Sequence, residues 1–260
     1  MSNVKAYQFV FFLGTLFFSK PLLLSNPFLT LGDFLPNNVR YLGDSTPPSH
    51  EVFDGLLQKY VTATGKVNYS GFLNDISLLN GYIKRMTEVG PAEGWSRDEK
   101  LAYWINLYNA VTIRLVCTYY PVGSIKEIDE GGAWDVKRVN VGGTRYSLKD
   151  VEQNVLGAMG EPRIHFAISH AAQSCPPIWN HAWTAETVQT QLSVQTKHFI
   201  NSWAFNKIKS GKVMLSPIFQ WSAKDFGDLI GFLNQYSSTS IRKGAEIQFL
   251  EYDWRLNEAM

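Results

Sequence analysis

The segment that most constrains the fold is a long apolar run, LAYWINLYNAVTIRLVCTYY, at residues 101–120. Ser96 precedes it and Glu99 follows three positions later, which is the pattern of a capping box at a helix N-terminus. Pro121 ends the run, because proline cannot continue a helix. Apolar residues occur on every side of the helical wheel, so a helix here has no face for water. The sequence therefore predicts one long, central, buried helix.

Shorter segments on both sides of this helix predict a mixture of helices and strands. Helical spacing of apolar residues predicts further helices, at 52–61, 73–83, 184–199 and 223–236. Other apolar runs predict strands, at 164–169, 212–219 and 247–254, and a Gly-Gly turn predicts a hairpin within 134–148. Long helices and short strands that do not alternate favour an α+β fold with a small, mostly antiparallel sheet. We assign residues 50–260 to this single domain.

The N-terminal residues differ from the domain in composition. One early lysine, Lys5, is followed by an uncharged and mainly apolar stretch, Ala6–Ser19. This stretch is short for a transmembrane helix and suits the apolar region of a signal peptide. We interpret residues 1–25 as a signal peptide or an uncleaved membrane anchor, and residues 26–49 as a linker. The expected location is periplasmic or extracellular, with membrane attachment only if residues 1–25 are retained.

Charge and motifs exclude several classes of function. The chain has 260 residues, a formal net charge of +1 and no basic run, so nucleic acid is not an expected partner. Its two cysteines, Cys117 and Cys175, form no CxxC pair, which argues against a disulfide framework or a structural zinc site. Gly-rich phosphate loops, GxSxG and HExxH are missing from the sequence. We expect no metal and no cofactor, and a small molecule or peptide as the partner.

Two asparagines stand out within the apolar helix. Asn106 and Asn109 are three positions apart and therefore share a face. A buried amide must form hydrogen bonds or destabilise the fold by about 1–3 kcal/mol. Either these side chains hold neighbouring loops against the helix, or they bind substrate or an oxyanion. Cys117, further along the same helix, is expected to be an unreactive core residue.

Glu152 is a carboxylate within an apolar stripe. On its predicted helix, Leu148, Val151 and Val155 define the face that packs inward, and Glu152 lies in the middle of that face. A carboxylate in this position is paired or has a strongly shifted pKa. One interpretation is a structural partner for an arginine such as Arg163 or for a backbone amide. The other is that Glu152 orients a catalytic histidine or binds substrate.

His165 is a candidate general base in the predicted strand 164–169. Alternation along a strand places His165, Ala167 and Ser169 on one face, and the small residues leave space beside the imidazole. The same alternation directs His170 away from His165, so the two are poor joint metal ligands. His165 is thus either a base beside an open space or a hydrogen-bonded core residue. His181 is expected at the surface.

Cys175 is the candidate nucleophile. It precedes Pro176-Pro177, which biases its backbone to an extended conformation and stiffens the corner. A thiol held on such a corner suits a nucleophile that a nearby base activates. The alternative is a packed loop cysteine with no chemistry.

Several motifs together resemble the family known as domain of unknown function 547. They are KLAYWINLYNAVTIRLV, YPVGSI, VNVGGTRYSLKDVE, RIHFAIS, SCPPI, LSPIFQWSAKDF and YDWRLN, in order through most of residues 50–257. The family has no settled activity. Mapped onto this chain, its pattern picks out six positions: Asn106, Asn109, Glu152, His165, Cys175 and Asp253.

The chain departs from the family pattern at two places. Gln153 stands where the family often has histidine, and glutamine cannot take up a proton as histidine does. His170-Ala171 stands where Cys-Gly is common. Any mechanism that needs the family's histidine at position 153 is therefore in doubt here.

Two functions from different classes fit these observations. The first is a cysteine-dependent hydrolase or acyltransferase acting on an amide, peptide or thioester. Cys175 would attack a carbonyl, His165 would act as base, and Glu152 or Asp253 would orient the imidazole. Asn106 or a backbone amide near Ser174 would stabilise the oxyanion.

The second function is a non-enzymatic exported binding module. The same polar residues would then form a buried network that fixes the fold, and the many Trp and Tyr residues would supply a contact face. This interpretation predicts a buried, unreactive Cys175 and a Glu152 that is paired with an arginine such as Arg163. Metal binding through His165, Cys175 and His181 is a weaker third interpretation, because the spacing matches no common ligand pattern.

Overall fold

The structure is a computed structural model and describes residues 46–259. The predicted signal peptide or anchor at residues 1–25, and most of the predicted linker, lie outside the described residues. Among residues 46–259, no helix combines the length and the apolar character needed to cross a bilayer.

The predicted central helix is confirmed as α4, Arg97–Tyr119. The Ser96 hydroxyl accepts the Glu99 backbone N–H at 3.2 Å, and the Glu99 carboxylate accepts the Ser96 backbone N–H at 2.6 Å, which forms the expected capping box. Residues 101–113 are all buried. The helix is enclosed on several sides because its whole surface is apolar, and this position lets it hold loops from distant parts of the chain.

Three helices precede α4: α1 (Glu51–Tyr60), α2 (Tyr69–Asn74) and α3 (Ile76–Glu88). The predicted helix at 73–83 is thus divided into α2 and α3. The Asn68 side chain caps α2 by accepting the Gly71 N–H at 2.7 Å. Both α2 and α3 pack against α4, and α1 packs on α2 and α3.

The strands form two small sheets. One is the predicted hairpin, in which β1 (Val139–Val141) pairs antiparallel with β2 (Thr144–Tyr146). The other has the order β3 (Lys207–Lys209), β4 (Lys212–Leu215) and β5 (Glu246–Phe249); β3 and β4 pair antiparallel, and β4 and β5 pair parallel. The α+β class with small, mostly antiparallel sheets is confirmed.

The remaining helices complete the C-terminal half. They are α5 (Val188–Asn201), α6 (Ile218–Trp221), α7 (Ala223–Phe226) and α8 (Leu229–Tyr236). The helix predicted at 223–236 is divided because Gly227 adopts φ +57°, a left-handed conformation that interrupts α-helical geometry. A 3₁₀ segment precedes β1, at Ile125–Gly131. Three further segments lie between β2 and α5: a π-helix at Asp150–Leu156 and 3₁₀ segments at Gly157–Met159 and Pro162–Phe166.

The strand predicted at 164–169 is wrong. Pro162 begins a 3₁₀ helix, Pro162–Phe166, and the Glu161 carboxylate caps it by accepting the Arg163 N–H at 3.3 Å. The Ala167 N–H then donates to the Ile164 carbonyl at 2.9 Å. Proline suits the first position of a helix because it lacks the N–H that would have no partner there. The β-branched and aromatic residues here are fixed by burial and not by strand pairing.

Two hydrophobic cores meet at this 3₁₀ segment. The larger core contains residues of α1–α4 together with Ile164, Ala167 and Ile168. The smaller core combines Phe166 with residues of α5, β4 and α6–α8. The short segment 164–168 therefore contributes side chains to both cores, and its position relative to α4 is fixed from two sides.

The C-terminal residues close the larger core. Isolated bridges join Val67 to Glu258, Ser124 to Arg255, and Ala172 to Leu256. The Tyr69 hydroxyl donates to the Asn257 side-chain oxygen at 2.6 Å. Residues 255–258 thus connect α2, the loop after α4 and the segment that carries Cys175.

Candidate functional site

The two asparagines of α4 hold backbone segments. Asn106 donates to the Trp183 carbonyl at 2.8 Å and accepts the Trp183 N–H at 3.0 Å. Asn109 donates to the Ala167 carbonyl at 2.9 Å and accepts the Ser169 N–H at 2.9 Å. Both side chains are buried and each pairs with main chain on both its oxygen and its nitrogen. These contacts support the structural interpretation, in which the amides hold loops against the helix.

Glu152 lies on the π-helix Asp150–Leu156, next to two histidines. The Ser147 hydroxyl caps the start of this helical segment by accepting the Asp150 N–H at 3.0 Å. Glu152 Oε2 accepts the Tyr108 hydroxyl at 3.4 Å and lies 3.3 Å from His170 Nε2, while Oε1 lies 3.8 Å from His165 Nδ1. Burial favours the neutral carboxyl, but these neighbours outweigh it and hold the pKa of Glu152 below its ordinary value.

Arg163, the proposed structural partner of Glu152, pairs elsewhere. Its guanidinium donates two hydrogen bonds of 2.7 Å to the Glu161 carboxylate and others to Gln189 and Ser193. The expectation of a Glu152–Arg163 pair is therefore wrong. The reason is local geometry, because the 3₁₀ turn at Pro162 brings Arg163 back to Glu161.

His165 is buried, with 5 % of its surface exposed, and both ring nitrogens have neighbours. Nε2 lies 2.8 Å from Asp225 Oδ2, and Nδ1 lies 3.4 Å from the Ser222 hydroxyl, close to Glu152. Burial lowers the pKa of His165, although the Asp225 and Glu152 carboxylates act in the opposite direction. His165 also lines a small pocket of about 220 Å³ with Pro162 and Asp225, so there is space beside it, although a 3₁₀ turn and not the face of a strand provides that space.

Sequence reasoning missed Asp225, which lies on α7, 60 positions after His165. The available signal was the WSAKDF motif, which contains this aspartate among the segments that resemble the family. Nothing in its spacing from His165 indicated a contact, since the two cores had to form before these side chains met.

His170 was expected to point away from His165, and this prediction is wrong. Both imidazoles face Glu152 because the chain is not extended between them. Ala171 has φ +56°, a left-handed conformation that turns the chain directly after His170. His170 Nδ1 is buried and has no hydrogen-bond partner among the described residues. The imidazole packs edge-to-face with the Trp134 ring, and the two ring centroids are 6.2 Å apart.

Cys175 is buried in the interior of the domain. Only 2 % of the residue is exposed, its sulfur lies 3.4 Å from the Ser169 hydroxyl, and its N–H donates to the Ala172 carbonyl. Burial raises the pKa of the Cys175 thiol, although Ser169 acts in the opposite direction. Within residues 46–259, the hydrogen bonds of the sulfur and of the His165 ring lead to different partners, so they do not form the expected nucleophile–base pair.

Asp253 contacts the Cys175 segment through its backbone. The Asp253 N–H donates to the Ser174 hydroxyl at 2.9 Å, and the Ser174 N–H donates to the Asp253 carbonyl at 3.2 Å. Its carboxylate forms an ion pair with the exposed Arg255. Asp253 therefore positions the strand-like loop beside Cys175, and its carboxylate is directed to Arg255.

The other cysteine and histidine agree with their expected places. Cys117 is buried, its sulfur contacts the Tyr69 carbonyl at 3.8 Å, and burial raises its pKa to about 12. The side chain of His181 is 49 % exposed and lies 3.1 Å from Asp54 Oδ1. In the part of the chain that the structure describes, no group of three His, Cys, Asp or Glu residues is arranged to hold a metal ion.

Four aromatic rings contact one another and reach His170 through Trp134, and we call them the aromatic face: Trp134, Trp221, Tyr252 and Trp254. Trp254 lies 4.5 Å from Tyr252, 5.5 Å from Trp134 and 5.7 Å from Trp221, measured between ring centroids. Trp221 is 50 % exposed. The face thus runs from solvent to the edge of His170.

These features define a helix-rich α+β domain with a buried carboxylate–imidazole network beneath an aromatic face. The family model described as "Protein of unknown function, DUF547" matches residues 92–200. This match confirms the resemblance over α4, the β1–β2 hairpin, the π-helix, the Cys175 segment and nearly all of α5. No curated protein and no solved structure matches the chain significantly.

Proposed function

We propose that this domain is a non-enzymatic, exported binding module whose polar residues form a buried structural network. The observation that carries the proposal is the environment of Cys175. The residue is buried, its sulfur lies within hydrogen-bond distance of the Ser169 hydroxyl, and burial raises the pKa of its thiol. A thiol acts as a nucleophile in its ionised form and must reach substrate, and burial opposes both requirements.

The remaining polar residues support the same proposal. Asn106 and Asn109 are occupied by backbone groups, and His165 contacts Asp225, Ser222 and Glu152. A buried network whose polar groups have hydrogen-bond partners rigidifies a core, and in this network His170 Nδ1 is an exception. The aromatic face then serves as the contact surface, since Tyr and Trp supply large, rigid contact area and are frequent at binding sites.

The proposal is tested by the pH dependence of iodoacetamide labelling of Cys175, on the full chain in a neutral detergent. Cys117→Ala removes the second thiol and serves as the background. We expect no appreciable labelling of the folded protein at pH 6, and labelling only above about pH 8.5 or after unfolding. Rapid labelling at pH 6 in the folded protein would overturn the binding-module proposal.

A cysteine hydrolase is the second candidate, with one observation in its favour. Glu152 and His170 form a carboxylate–imidazole pair at 3.3 Å. The Ser169 hydroxyl lies 3.4 Å from the Cys175 sulfur and accepts the Ala171 N–H at 3.2 Å, so the thiol lies close to the turn that follows His170. In this version His170, and not His165, would be the base, and opening of the site would have to expose the sulfur to an amide, peptide or thioester.

The two histidine candidates are separated by the same labelling assay. His165→Ala and His170→Ala are each made in the Cys117→Ala background. If labelling at pH 6 is fast and is lost only in His170→Ala, the hydrolase with His170 as base replaces the binding module. Loss only in His165→Ala restores the triad predicted from sequence.

A further inference from the structure

A groove at the start of the domain is separate from the Glu152 network. Three chain segments line it: residues 46–54 at the start of α1, the first turns of α4, and residues 179–194. Its volume is about 990 Å³. Sites for small ligands are commonly concave and of about 300–1,000 Å³, so the groove has room for a ligand with several groups.

The charge of the groove has one sign. Four carboxylates line it, Glu51, Asp54, Glu99 and Glu186, and among residues 46–259 no Lys or Arg lines it. His50 adds no compensating charge at neutral pH, because burial lowers its pKa to about 4 even though Glu186 acts in the opposite direction. Walls of one charge sign raise the local concentration of ligands of the other sign.

The four carboxylates divide into two kinds. Asp54 accepts the Ala182 N–H at 2.8 Å and contacts His181, and Glu99 closes the capping box of α4, so both fix the walls of the groove. Glu51 and Glu186 are exposed at the surface, where Glu186 also contacts Thr184. Exposed carboxylates keep acceptor positions for a ligand.

Apolar groups lie between these charges. Trp179, Ala102 and Val194 line the same groove, together with Pro47 and Pro48. A compact inorganic cation would gain nothing from such surface. An ammonium group on an aliphatic stem would gain binding energy from it, because the stem packs on apolar side chains while the charge stays near water and carboxylates.

From this arrangement we infer that the groove binds primary ammonium groups carried on aliphatic stems, as in a polyamine or a lysine-rich peptide. This inference goes beyond the proposed function, because the groove is lined by none of the residues of the aromatic face and forms a second site with its own ligand class. Glu51 and Glu186 bind the ammonium groups, and Trp179 contacts the stems. Asp54 and Glu99 hold the groove in shape.

Isothermal titration of the full chain in neutral detergent at low ionic strength tests this inference. Two probes separate the possible sources of the ligand: spermidine for a free polyamine, and a tri-lysine peptide with blocked termini for a protein segment. A blocked tri-glutamate peptide is the negative probe. Glu51→Gln/Glu186→Gln removes two charges from the groove, and Glu246→Gln/Glu251→Gln removes two from exposed positions that do not line it.

We expect at least one cationic probe to bind, with its Kd raised about tenfold in Glu51→Gln/Glu186→Gln and changed less than about twofold in the matched control. The tighter of the two probes identifies the source. If neither probe binds, or both double variants weaken binding equally, the inference is wrong. If neither probe binds and Cys175 is unreactive, only the ligand assigned to the groove is wrong. If a probe binds as expected and Cys175 is labelled rapidly at pH 6, only the proposed non-enzymatic function is wrong.

Discussion

Replacing Asn109 with leucine is expected to lower the free energy of unfolding by about 4 kcal/mol. The substitution leaves the Ala167 carbonyl and the Ser169 N–H without their side-chain partner in a buried position, and each such group is expected to destabilise by about 1–3 kcal/mol. Urea unfolding followed by circular dichroism measures the change, with an unaltered m-value as the sign of an unaltered unfolding transition.

Asn154 offers a matched control for this experiment. It is exposed and donates only to Asp150, so Asn154→Leu is expected to change stability by less than about 0.5 kcal/mol. A similar loss in both variants would contradict the anchoring role of Asn109. If Asn109→Leu were as stable as the parent but bound its ligand poorly, the substrate-binding interpretation would replace the structural one.

Replacing Glu152 with alanine is expected to lower the free energy of unfolding by about 3 kcal/mol, because two largely buried groups lose their hydrogen-bond partner and each such loss destabilises by about 1–3 kcal/mol. The Glu152 side chain is 15 % exposed, so water replaces part of the lost contacts and the effect stays in the lower half of the range for the two groups together. Its removal leaves His170 Nε2 and the Tyr108 hydroxyl without their acceptor. Glu251→Ala is the control, because Glu251 is exposed. Equal unfolding midpoints in the two variants would contradict the network.

The same network makes stability depend on pH in one direction. Folding lowers the pKa of His165 from 6.5 and that of Glu152 from 4.5. The unfolded chain therefore binds more protons in acid than the folded chain, and stability falls as pH decreases, first below about 6.5 and further below about 4.5. Glu152→Gln is expected to reduce the second part of this decrease, and Glu161, whose pKa folding also lowers, accounts for part of the remainder. Unfolding free energies measured from pH 8 to pH 3.5 provide the comparison.

The sequence was sufficient where local signals agreed with burial. The capping box, the uninterrupted apolar run and Pro121 together determine α4, and Gly142-Gly143 determines the hairpin. Glu152 was identifiable because a carboxylate within an apolar stripe must have a partner. Its own partners were not identifiable, since they depend on how other segments fold.

The error at residues 164–169 shows why the site geometry was out of reach. A short β-branched and aromatic run has no period that distinguishes a strand from a buried 3₁₀ turn. Here Pro162 begins the turn, and Asn109 binds the backbone immediately after it. The assumption of a strand places His165 and His170 on opposite sides, which is wrong. The contact between His165 and Asp225 could not be predicted, because it joins segments that are 60 positions apart.

The closure of the larger core by residues 255–258 has a consequence for the timing of folding. Tyr69 and Asn257 are 188 positions apart. The bridges from Val67, Ser124 and Ala172 cannot form before residues 255–258 have been synthesised. At about 5–20 residues per second of synthesis, roughly 10–40 s separate the emergence of the two ends of this contact from the ribosome. During that interval the residues that pack against 255–258 lack this cover, and apolar surface that is exposed in this way favours aggregation.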